Sequence, residues 1–174
     1  MKTKMRKVLF RILNTTMLLV LVAYGQAWAV GTVTQTVATV CEPSTSVCFK
    51  TLTFVCIADA SAATYPSTAI SAANHAQLKG WALMMGSTLN GATAPTALWD
   101  IAITEGGVDV LGTAGADRPG TTAVSSQFRP LTSTSYLMPG LRPVADTWTL
   151  AITGNAVNSA VATIKLFFVP LYWK

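Results

Sequence analysis

The sequence predicts an all-β protein, an antiparallel two-sheet sandwich of jelly-roll-like form, with about eight or nine short strands behind an N-terminal signal segment. Three observations carry this. Apolar residues alternate with polar ones at period two in run after run, which puts one face of each strand in a core. Glycine, proline and asparagine clusters punctuate those runs at short intervals. After residue 30 no long stripe at helical spacing appears.

Residues 1–29 have the three parts of an export signal. A basic stretch from Lys2 to Arg11 precedes the apolar run Met17 to Ala23, and Ala27-Trp28-Ala29 gives the small-x-small pattern of a cleavage site, with the cut expected after Ala29. The alternative is a retained anchor, but Asn14, Thr15, Thr16 and Gln26 interrupt the apolar window, and a membrane helix needs about 20 mostly apolar residues. No cysteine sits just after Ala27-Trp28-Ala29, so no lipid anchor is indicated.

From Val30 to Lys174 a single sandwich domain is predicted. Leu52, Phe54 and Cys56 alternate with Thr51, Thr53 and Val55. The alanine-rich stretch Ser67 to Leu78 is ambiguous between a short helix and a loop. Trp81, Leu83 and Met85 form a weaker face, blurred by Met84. Trp99, Ile101 and Ile103 make a clear one, and Glu105-Gly106-Gly107 before Val108-Asp109-Val110 reads as a tight hairpin, because glycine tolerates positive φ. Gly112 to Gly120, Pro139-Gly140 and Gly154-Asn155 are turn or loop signals; Trp148, Leu150 and Ile152 form the next strand face. The final run, Ala160 to Val169, is apolar on both faces except at Thr163 and Lys165.

Charge argues against nucleic acid. The chain has 12 basic and 7 acidic residues, but Lys2, Lys4, Arg6, Lys7 and Arg11 lie in the signal segment. The predicted domain is therefore close to neutral, and its charges are scattered singly, with no row to neutralise phosphates. Membrane contact is expected only through residues 1–29 where they are uncleaved.

Candidate chemistry is sparse. Cys41 and Cys48 flank a short loop between two strand-like runs, and in an oxidising compartment they are expected to form a disulfide across a hairpin base. Cys56 then remains as a buried thiol. His75 is the only histidine and is expected in a solvent-facing loop; no nucleophile motif accompanies it. Asp100, Glu105, Asp109 and Asp117 lack the spacing of a calcium loop, and the ordinary expectation puts them on strand surfaces and in the turn. No catalytic residue, metal ligand or cofactor is predicted, so the protein is not expected to be an enzyme.

Two surfaces are nominated for binding. The C-terminal run has large apolar side chains of both parities, and Pro170 argues against a central strand. An edge strand satisfies both facts if Phe167, Val169 and Leu171 meet another subunit while Leu166 and Phe168 face the core. Trp81, Trp99 and Trp173 are the candidates for an aromatic stacking surface.

The segment Ala94-Pro95-Thr96-Ala97-Leu98-Trp99-Asp100-Ile101-Ala102-Ile103-Thr104-Glu105-Gly106-Gly107-Val108-Asp109-Val110-Leu111-Gly112 resembles small β-sandwich proteins encoded among the structural genes of tailed bacteriophages and prophages. Thr51 to Phe54 with Ala58-Asp59-Ala60, and Leu150 to Ala156, are similar to the flanking parts of that pattern. The resemblance implies a virion-associated sandwich rather than a chemistry. The export signal and the cysteines depart from it, leaving a bacterial surface protein or a particle assembled at a membrane open. Two classes of function are thus expected: a self-associating structural subunit of a virion, spike or surface filament, whose partners are its own copies or other particle proteins, or an exported binding module of adhesin or carbohydrate-binding type.

Overall fold

The computed structural model describes residues 30–42, 48–130 and 140–171. The predicted signal segment, the turn residue Pro139 and Trp173 lie outside the described residues. Ten strands and one helix are found in that range: β1 (Thr32–Cys41), β2 (Cys48–Ile57), β3 (Thr68–Ala69), α1 (Ala72–Leu78), β4 (Trp81–Asn90), β5 (Asp100–Glu105), β6 (Val108–Asp109), β7 (Ser125–Phe128), β8 (Arg142–Pro143), β9 (Trp148–Thr153) and β10 (Val161–Pro170). They form two antiparallel sheets. The larger has the order β1-β2-β10-β4-β7, with β8 also paired to β4, and the smaller has the order β3-β9-β5-β6.

The predicted strand faces meet in one core. Leu52, Phe54 and Cys56 on β2, Ile101 and Ile103 on β5, and Leu150 and Ile152 on β9 are all buried in it. From β10 come Ala162, Ile164, Leu166 and Phe168, none of them exposed. The Phe168 ring reaches across to Trp148 of the smaller sheet, with centroids 5.8 Å apart.

Local signals explain several joints. Thr104 pairs with Asp109 and Glu105 with Val108, leaving Gly106 and Gly107 as a two-residue turn. Both have positive φ, +56° and +85°, the requirement of a type I′ hairpin. The ambiguous stretch holds both β3 and α1. Ser71 caps the helix, its Oγ accepting from the Asn74 amide at 3.3 Å, and Leu78 is the residue it buries.

Two expectations are corrected. β10 is not an edge strand: it lies between β2 and β4, and Pro170 is tolerated because it occupies the last position, opposite Trp81. Nor do Trp81, Leu83 and Met85 share a buried face. Phe167 pairs with Met85 but Phe168 pairs with Leu83, so Met84 is an extra residue, a bulge. Past it the inward parity of β4 switches to Gly86, Thr88 and Asn90, as an inserted residue requires.

Candidate interaction surface

The outer face of the larger sheet is the part of the molecule with the most unusual chemistry. Because Leu52, Phe54 and Cys56 point inward, Thr51, Thr53, Val55 and Ile57 point outward. The register aligns them with neighbours of like direction: Ile57 stands between Thr32 and Val161, and Val55 between Thr34 and Thr163. Thr163 in turn faces Leu89, and Phe167 faces Thr51 and Met85. Val55 is 39 % exposed, Ile57 41 % and Leu89 46 %. Threonines fill the spaces between these side chains. Lys50 and Lys165 are the only charged residues in β1, β2, β4, β7 and β10, and only Lys165 belongs to this face.

The predicted subunit contact is partly rearranged. Phe167 lies on the outer face, half-buried, but Val169 is only 7 % exposed. The bulge at Met84 shifts the register between Phe167 and Phe168, so strict alternation ends there. Leu171 is half-buried just past the strand, its amide bonded to the Gly80 carbonyl at 3.1 Å. Val169 is therefore withdrawn as a surface contact.

Of the nominated tryptophans that are described, Trp81 and Trp99 do not form a platform. Trp99 is wholly buried and its Nε1 donates to the Pro119 carbonyl at 3.0 Å. That overturns its nomination as a stacking residue; it shares parity with Ile101 and Ile103 and packs with them. Trp81 is half-buried with the Lys50 ammonium 4.6 Å from its ring centroid. Lys50 also donates to the Gln77 carbonyl, and its desolvation there lowers its pKa.

The cysteines are placed as the sequence suggested. Cys41 and Cys48 stand opposite each other at the end of the β1–β2 ladder and form a disulfide. Cys56 is a free, buried thiol, pushed up to about 12 by desolvation, so it has little thiolate to react. Non-reducing peptide mapping is expected to join Cys41 to Cys48 alone. Replacing both with serine should lower stability by about 2–3 kcal/mol in urea unfolding, the loop-closure value for so short a loop; a link from Cys56 to another cysteine contradicts the pairing.

The acidic residues have structural duties. Asp109 accepts from the Leu111 and Thr113 amides at 2.9 and 3.1 Å, and Asp100 from the Asp117 amide at 2.8 Å. Glu105 accepts from the Ala145 and Asp146 amides and from Trp148 Nε1. Among the described residues no group of His, Cys, Asp and Glu is placed to hold a metal ion. His75 lies on α1, not in a solvent-facing loop, and its Nε2 is buried without a hydrogen-bond partner. A cleft of about 280 Å³ runs between Ala63–Tyr65 and Ile152–Asn155. Two of its polar side chains are engaged: Tyr65 donates to the Ala160 carbonyl and Asn155 Nδ2 to the carbonyls of Ala63 and Val157.

Among the described residues no helix is long and apolar enough to cross a membrane. Comparison with protein-family models, curated proteins and solved structures returns no match.

Proposed function

We propose that this chain is a non-enzymatic structural subunit that self-associates through the outer face of its larger sheet, as part of a virion, spike or surface filament. The observation that supports the reading is that Val55, Ile57, Leu89 and Phe167 stand exposed or half-buried among threonines on one face, whose strands β1, β2, β4, β7 and β10 place a single charge on it. Apolar side chains gathered on one sheet face, rather than scattered singly, mark interaction surfaces. Less than half of each such side chain remains to be covered, so each contributes roughly 0.5–1.5 kcal/mol, and several must act together to offset the cost of association. Export is compatible with the Cys41–Cys48 disulfide, since such bonds persist in oxidising compartments. The phage-like run from Ala94 to Gly112 favours a particle over a free secreted module.

The test is solution mass. Wild-type protein is expected to show concentration-dependent association in sedimentation velocity. The double substitution Val55→Lys and Leu89→Lys should sharply weaken that association with an unchanged circular dichroism spectrum. A wild type that stays monomeric at every concentration, or a double variant that associates equally well, overturns the reading.

A further inference from the structure

Sheet edges expose unpaired amides and carbonyls, and proteins usually blunt them by shortness, proline, bulges or charge. Four of the terminal strands here follow that practice: β3 and β6 are two residues long, β8 is two residues ending in Pro143, and β7 has four. β1 does not. It is ten residues long, contains no charge and no proline, and pairs with β2 in unbroken register from Thr32 to Cys41. Among the described residues, β2 is its only strand partner, and none of its backbone groups bonds to the backbone of a loop or helix.

The strand is also held ready. The disulfide closes the end of its hairpin. At mid-strand, Gln35 Nε2 donates to the Ala69 carbonyl, while its Oε1 accepts from the Ser71 amide and Asn74 Nδ2. These bonds are made on the inner side of β1, and among the described residues no strand pairs with its outer edge. A strand fixed in advance loses less conformational entropy when it acquires a neighbour.

We propose that β1 is a docking edge and that its occupant is β1 of a second copy, paired antiparallel about a two-fold axis. The proposal rests on the self-association reading and adds an edge contact to the face contact. The sequence Thr-Val-Thr-Gln-Thr-Val-Ala-Thr-Val is suited to meeting itself. It contains no charge to oppose a like charge, whereas like charges directly opposite destabilise a strand pair. Directly opposed residues in an antiparallel pair share a face, so a register centred on Thr36 sets Thr34 against Ala38 and Val37 against Gln35. Threonines then continue on the outer side and the Val33, Gln35 and Val37 positions on the inner side. The two larger sheets become one continuous sheet, with an isologous contact as a two-fold requires. Both outer faces stay on the same side, doubling the width of the surface proposed above.

Hydrogen exchange on the purified wild-type chain, at concentrations spanning the association seen by sedimentation, decides the matter. In the associated form, alternate amides of Thr32 to Val40 should exchange on the order of tenfold or more slowly. Amides of the short edges β6 and β7 should keep their monomer rates. If mass rises while the β1 amides are unchanged, edge pairing is overturned and the face contact stands alone. If mass never rises, both are overturned.

Discussion

Phe168→Ala is expected to unfold the protein or to cost about 3–5 kcal/mol, the range for deleting a buried aromatic side chain. Phe168 is fully buried, and its ring contact with Trp148 links the two sheets. Its neighbour gives the contrast. Phe167 is half-buried on the outer face, so Phe167→Ser should leave a folded chain whose association is weakened. Urea unfolding followed by circular dichroism, with light scattering on both variants, measures the two effects. Equal loss of stability in the two variants contradicts the division between inner and outer faces.

That division was legible wherever a strand runs without interruption. The alternation at Leu52, Phe54 and Cys56, at Ile101 and Ile103, and at Leu150 and Ile152 predicts the buried set, because side chains on a strand must take opposite faces in turn. The Gly106-Gly107 turn was legible for an equally local reason: it needs two residues at positive φ. β4 was not legible. Met84 and Met85 are both apolar, so the hydrophobic pattern contains nothing to show which residue is the insertion. β3, β6 and β8, two residues each, are too short to display any period. The place of β10 depends on β2 and β4 coming to lie on either side of it, a non-local fact that no run of residues records. Pro170 suggested an edge, yet a proline at the last position of a strand interrupts little of its ladder.

The proposed interaction surface is only partly legible in the sequence. Val55 and Ile57 occupy the parity of β2 that Thr51 and Thr53 mark as polar. Two apolar side chains there were a signal for a second surface, and Leu89 joins them only through strand pairing. Trp99 shows the opposite error. Its residue type suggests a stacking platform, but its parity with Ile101 and Ile103 already assigned it to the core, and parity won. The open edge of β1 was illegible for the same reason as the centrality of β10, since an edge exists only once strand order is known.

Gly115→Ala is expected to be among the most damaging single-methyl additions in the molecule. The sequence marks Gly112 to Gly120 only as a loop. In the structure that loop lies along the start of β5, with the Ile101 amide bonded to the Gly115 carbonyl at 2.9 Å and the Arg118 amide to the Trp99 carbonyl at 2.8 Å. A Cβ on Gly115 falls 2.0 Å from the Ile101 carbonyl oxygen and 3.0 Å from Leu111 Cδ1. The oxygen belongs to the backbone of a strand paired to β9, so it cannot yield as a side-chain tip does. The loop must move instead, but Asp109 holds its start through the Leu111 and Thr113 amides. Overpacking of about 1–3 kcal/mol then adds to the loss of hydrogen bonds worth about 1 kcal/mol each, for a total of about 3 kcal/mol or more. Gly106→Ala is the comparison: its φ is +56° but a Cβ there meets nothing within 4 Å, so it should cost only the left-handed backbone penalty of about 1–2 kcal/mol. Urea midpoints of the two variants measure the difference. If Gly115→Ala is no worse than Gly106→Ala, the loop is not pressed against β5 as the structure has it.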